Sequence, residues 1–153
     1  MVGGFNVAVE LLKRRIGGRL LGVALFGSVA RGDCDDRSDV DVFVVTRGLD
    51  APPGERLRLI YEAVSPLRRV VGRDVSVVTV EADELVDVTP LLVNIAYDAV
   101  ILYDPEGFLS RFFERVRAAV EKAGLTPYTT KDGKRGWKPL RKLRRGEVVE
   151  VRL

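Results

Sequence analysis

The sequence predicts an α+β domain: a mixed sheet of about four strands with helices packed on it, followed by a basic C-terminal tail. Three observations lead there. Apolar, strand-like runs recur at Leu20–Phe26, Val40–Thr46, Val70–Val80 and Val100–Tyr103. Segments of helical period lie between and around them. The links between strands are uneven, which separates this pattern from a regular βαβ repeat.

Each element has a local reason. Asn6 to Arg15 carries Val7, Val9, Leu11 and Leu12 ahead of Ile16, the spacing of an amphipathic helix, and Gly17-Gly18 stop it. Leu20–Phe26 reads as a buried strand. Gly27 makes a junction after it, and Ser28 is placed to cap a short helix through about Arg31. Val40–Thr46 is a second buried strand. Pro52 and Pro53 open a helix expected to run to about Arg69, with Leu57, Ile60, Tyr61 and Val64 on one face. Val70–Val80 reads as a third strand, broken at Gly72-Arg73-Asp74. Pro90–Asp98 suits a short helix and Val100–Tyr103 a fourth strand. Pro105 starts a long helix ending at Gly124, with Phe108, Leu109, Phe112, Phe113 and Val116 inward. The closing GEVVEVRL alternates as an edge strand does.

Composition narrows the chemistry. The 153 residues imply one domain, and 46% hydrophobic with 31% charged residues is ordinary for a globular protein. No apolar run reaches the ~18 residues of a membrane span. The opening MVGGFNVAVELLKRR lacks the layout of a signal peptide, and the lone Cys34 excludes an internal disulfide, so a cytoplasmic location is expected. Histidine is absent, which rules out imidazole catalysis and His-bound zinc. Gln is absent too and Asn occurs only twice, a depletion of thermolabile amides that fits a thermophile. The net charge of +3 is uneven: residues 131–153 hold nine Lys/Arg and three Asp/Glu, and the remainder is mildly acidic.

The acidic bend FGSVARGDCDDRSDVDVFVV concentrates the functional signal. Asp39 and Asp41 lie two apart at the start of a strand, so their carboxylates share one face. Two unpaired anions that close repel, and a divalent cation between them removes the conflict. Mg²⁺ is often held by one or two carboxylates plus substrate phosphates. A calcium loop starting at Asp33 fails, because Ser38 stands where Gly is needed and Val44 where Glu is needed. Asp33, Asp35 and Asp36 read as a solvated turn. On the other side of the bend, Gly27 permits close backbone approach, and the turn at Ser28 offers N–H groups and a hydroxyl to an anion. Arg31, one helical turn on, reaches either the same anion or a neighbouring acid, Asp33 or Asp36.

This stretch resembles the signature of the nucleotidyltransferase superfamily, the fold of DNA polymerase beta and kanamycin nucleotidyltransferase. Gly27-Ser28 is followed by ten residues and then Asp39-Val40-Asp41. The fuller form, GSxARG with SDxD, matches at Gly27, Ser28, Ala30, Arg31, Gly32, Ser38, Asp39 and Asp41, and is similar to the minimal nucleotidyltransferases of prokaryotes. The resemblance covers roughly residues 5 to 120; with the change of composition at Thr126, the chain is expected to divide into a domain of residues 1–125 and a basic extension, 126–153, packed on it. It implies a third carboxylate, for which Asp74 is the candidate, ahead of Glu81, Asp83 and Glu84. Two Mg²⁺ ions would be held by Asp39, Asp41 and Asp74, and ATP by Gly27, Ser28 and Arg31. AMP would pass to an acceptor hydroxyl as pyrophosphate leaves. Minimal members are often antitoxins that adenylylate a helical HEPN toxin, so a HEPN-type partner is implied. A catalytically silent partner-binding module is the competing class; a small molecule or RNA is the competing acceptor. The tail, with Trp137, reads as a basic hairpin packed on the body, open to a partner protein or RNA.

Overall fold

The computed structural model describes residues 2–153. Its main sheet has four strands, β1 (Leu20–Phe26), β2 (Val40–Thr46), β3 (Val75–Glu81) and β4 (Val100–Tyr103), in the order β3-β2-β1-β4. β1 pairs antiparallel with β2 and with β4, and β2 pairs parallel with β3. The mixed sheet predicted from the sequence is therefore present. Helices α1 (Val2–Ile16), α3 (Pro53–Val64) and α4 (Leu67–Val71) cover one face, where Leu12, Ile60, Val64 and Leu67 meet Val23, Val40, Val42 and Val44. Helices α5 (Pro90–Asp98) and α6 (Phe108–Lys122) cover the other, with Ile95, Leu109 and Phe113 against Ala24, Phe43 and Val45. The central strands β1 and β2 are buried on both faces, which is why they read as continuous apolar runs rather than alternating ones.

The structure departs from expectation at several places. The helix expected through Arg69 stops at Val64, because Pro66 cannot continue it; Leu67–Val71 then forms its own turn of helix. Val70 and Val71 thus belong to α4, and the third strand starts only at Val75. The buried stripe of α3 is Arg56, Ile60 and Val64, whereas Leu57 and Tyr61 are exposed. Arg56 occupies the stripe because its guanidinium meets Glu84 at 2.5 Å. The long helix starts at Phe108 rather than Pro105, and its first turn is capped from outside: the Asp104 carboxylate accepts from the N–H of Leu109 (2.9 Å) and of Ser110 (3.0 Å).

The end of the tail holds a further difference. Among the described residues GEVVEVRL forms no strand. Ahead of it β5 (Leu125–Thr129) and β6 (Arg135–Pro139) make an antiparallel hairpin, the form expected of the tail. Its Trp137 ring lies 4.8 Å from the Tyr97 ring of α5, and the indole N–H donates to Asn94 Oδ1 at 2.8 Å. Among the described residues, no helix is long and apolar enough to cross a membrane.

Candidate active site

The antiparallel pairing of β1 with β2 brings the end of one strand beside the start of the next, and Phe26 stands opposite Asp41. Gly27, the next residue, turns the chain with φ +74°, into the five-residue helix α2 (Gly27–Arg31). A Cβ on Gly27 would sit 2.1 Å from Asp41 Oδ2. Glycine is needed there twice over, for the left-handed backbone and for the space the carboxylate fills. The Asp41 carboxylate thus lies directly under the Gly27-Ser28 turn.

Asp41 is half-buried and Asp39, two residues earlier, is exposed. Burial pushes the Asp41 carboxyl above the usual carboxylate range, and the negative charge of Asp39 adds to the rise. The Ser76 hydroxyl, on the β3 residue in register with Asp41, and the Arg31 charge oppose it without cancelling it. The pair is therefore short of positive charge. That is the environment a divalent cation relieves, and two adjacent carboxylates are a sufficient protein share for Mg²⁺ that also binds phosphates.

Ser28 is not a helix cap. Phe26 holds the cap position without a side-chain bond, and Ser28 lies inside the first turn. Among the described residues its hydroxyl has no hydrogen-bond partner in the protein, so it can donate to an anion over the turn. Arg31 is engaged: Nε donates to Asp33 at 3.1 Å and Nη1 to Asp98 at 2.8 Å. Its Nη2 makes no bond among the described residues.

Asp74 directly precedes β3. Its carbonyl accepts the Val40 N–H at 2.8 Å, and it shares with Asp39 a hollow of about 270 Å³ beside Arg68 and Arg73. The Asp74 carboxylate, however, pairs with Arg68 at 2.9 Å. Among the described residues no three carboxylates stand close enough together to hold a metal, so the structure brings Asp39 and Asp41 together but not Asp74 with them. Glu81 binds the backbone N–H of Gly48 and Leu49 at the opposite end of β3, away from the bend. The acids between the strands behave as a turn. Asp35 accepts from the Arg37 N–H, which holds its carboxyl below the usual range, and Arg73 donates to the carbonyls of Asp35 and Ser38. Cys34 is a free, half-buried thiol.

Two neighbours of the site went unread in the sequence. Ser76 hides in a Val-rich strand, and only the β2–β3 register shows that it adjoins Asp41. Asp98 left a signal: it is an acid in the last turn of an otherwise apolar helix, where the helix dipole disfavours an anion. Such a residue needs a cationic partner, and it has Arg31.

A family model described as a nucleotidyltransferase domain matches residues 8–103. A Methanocaldococcus jannaschii protein named as a putative protein adenylyltransferase is 29% identical over 122 residues, covering 76% of this chain and 83% of that one. Among solved structures, a toxin–antitoxin with AMP-PNP shares the fold with a TM-score of 0.52 at 19% identity, over 76% of this chain and 90% of the other. A mutant of the toxin–antitoxin MntA–HpeT follows with 0.51 at 17% identity, again over 76% and 90%.

Proposed function

The chain belongs to the nucleotidyltransferase domain family and is a nucleotidyltransferase; from that premise we propose that it moves AMP from ATP to an acceptor hydroxyl, with Mg²⁺, releasing pyrophosphate. The observation that carries the reading is the Asp41 carboxylate lodged where a Gly27 side chain would be, beside Asp39 and beneath an open Ser28 hydroxyl. Catalysis of this kind needs a charge-deficient carboxylate pair next to a phosphate cradle, and it needs no histidine.

Asp39 and Asp41 would hold the metal, with Asp74 as a third ligand if it gave up its pairing with Arg68. Arg68 and Asp74 are 71% and 65% exposed, so that exchange gives up a solvent-screened pair worth about 0–1 kcal/mol. When bound there, Mg²⁺ would supply charge neutralisation on the triphosphate and a lowered pKa for the acceptor hydroxyl. The Ser28 hydroxyl, with the free Nη2 of Arg31, grips the outer phosphate oxygens. Asp74 takes the proton of the acceptor hydroxyl, whose oxygen bonds to the α-phosphorus as the bond to the pyrophosphate oxygen breaks. The pyrophosphate leaves with that electron pair.

We place the acceptor hydroxyl on a protein. The M. jannaschii relative is named for protein adenylylation, and the similar folds belong to toxin–antitoxin assemblies. A helical toxin of the HEPN type is the partner class the reading selects, with residues 1–125 as the catalytic unit and 126–153 as an extension packed on it. The test uses ATP labelled at the α-phosphate, Mg²⁺ and such a toxin. Wild type should label the toxin, whereas Asp41→Asn should fall by at least about a hundredfold. Equal binding of the toxin by both forms with no label transferred by wild type would overturn the enzymatic reading in favour of a silent binding module.

A further inference from the structure

The Asp98 side chain at the end of α5 is 3% exposed, yet it is a carboxylate with both oxygens engaged by arginines from opposite ends of the chain. Oδ2 accepts from Arg31 Nη1 of the signature helix, and Oδ1 accepts from Arg135 Nη2 of the tail hairpin. Arg135 is fixed in turn: its Nε donates to Asn94 Oδ1 at 3.1 Å, its Nη2 also reaches the Asn94 carbonyl at 3.3 Å, and its guanidinium lies 5.7 Å from the Trp137 ring. The same Asn94 oxygen accepts the Trp137 indole N–H. One connected set of bonds therefore runs from the tail through α5 to the helix that follows Gly27.

We propose that Arg135 and Asp98 are positioning residues that set the Arg31 guanidinium for nucleotide binding, which makes the C-terminal hairpin a working part of the site. The argument is one of charge. A buried carboxylate without full compensation binds whatever cation is nearest more tightly, because the low dielectric strengthens the pair. With Arg135 on Oδ1, Asp98 is shared, and Arg31 keeps a fixed pose with Nη2 free for a phosphate oxygen. Without Arg135, Asp98 draws on Arg31 alone, and the guanidinium turns toward the buried acid. The same residue pair explains why a basic tail adheres to a mildly acidic body at this point.

The inference rests on the nucleotide site proposed above, and the test separates the two. Dissociation constants for ATP with Mg²⁺ are measured by calorimetry for wild type, Arg135→Ala, Arg135→Lys, Arg31→Ala and the Arg31→Ala/Arg135→Ala double variant, with thermal melts of each. Arg135→Ala should weaken ATP about 5- to 20-fold, Arg135→Lys should recover most of that loss, and the double variant should bind no more weakly than Arg31→Ala alone. A hairpin that serves stability only would lower the melting temperature and leave ATP affinity unchanged. That result overturns the proposal and leaves the nucleotide site standing, as does a double variant weakened by the full product of the single effects. If wild type binds no nucleoside triphosphate, the site reading fails and this inference fails with it.

Discussion

Gly27→Ala tests the central geometry of the site in one methyl group. The substitution meets two separate obstacles. The backbone at φ +74° costs an L-residue about 1–2 kcal/mol. The new Cβ would lie 2.1 Å from Asp41 Oδ2, so the half-buried carboxylate must move, adding about 1–3 kcal/mol of overpacking. Together these predict a loss of about 2–5 kcal/mol, which for a chain of this size lowers Tm by roughly 5–20 °C. The assay is urea unfolding, first in the wild-type background and then in Asp41→Ala. With the carboxylate removed, only the backbone part should remain, about 1–2 kcal/mol, giving a coupling of at least about 1 kcal/mol between the two positions. AMP transfer should fall with the displaced carboxylate, by about a hundredfold. Equal costs of Gly27→Ala in both backgrounds would refute the argument, since then Asp41 does not occupy the space a Gly27 side chain would need.

Further outcomes follow from the same contacts. Asp41 has a raised folded pKa, so its contribution favours the folded state at low pH and is lost as pH rises through that value; melts without metal should show Asp41→Asn gaining on wild type as pH rises from the usual carboxylate range through that raised value. Added Mg²⁺ at neutral pH should raise the melting temperature of wild type and leave Asp41→Asn unmoved, and a pH-independent difference between the two forms would contradict the burial of that carboxylate. Arg68→Ala frees Asp74 from its exposed partner at a stability change within about 1 kcal/mol, and the Mg²⁺ concentration giving half of the thermal upshift should fall. An unchanged Mg²⁺ midpoint would remove Asp74 from the metal site. Asp104→Ala strips the first turn of α6 of two N–H partners and should cost about 1–2 kcal/mol in chemical unfolding, with ATP affinity preserved.

What the sequence made legible divides along a physical line. That Gly27, Ser28, Asp39 and Asp41 gather at one end of the sheet could be read in advance, because the junctions of the two strands with the bend are marked in the sequence and a strand alternates its faces whatever surrounds it. The central strands were legible for a similar reason: burial on both faces leaves a run of Val and Phe that no loop would carry. Strand and helix ends were less legible near prolines, and Pro66 is the instructive case. Reading Val70 and Val71 as strand hid the turn of α4, and with it the Arg68 that pairs with Asp74. The last eight residues were misread because alternation is only half of a strand; the other half is an edge to pair with. GEVVEVRL has the pattern and finds no edge, whereas the hairpin of Leu125–Thr129 and Arg135–Pro139 carries Pro and Gly and pairs with itself. Asp98 shows a third kind of signal. Nothing in its neighbourhood spells a motif, but an acid in the last turn of the helix LLVNIAYD runs against both the dipole and the apolar setting. A residue that two elementary forces oppose is kept in place by a third. Here that force is a pair of guanidiniums, and the pair joins the one part of the chain that resembles no motif to the part that resembles one most.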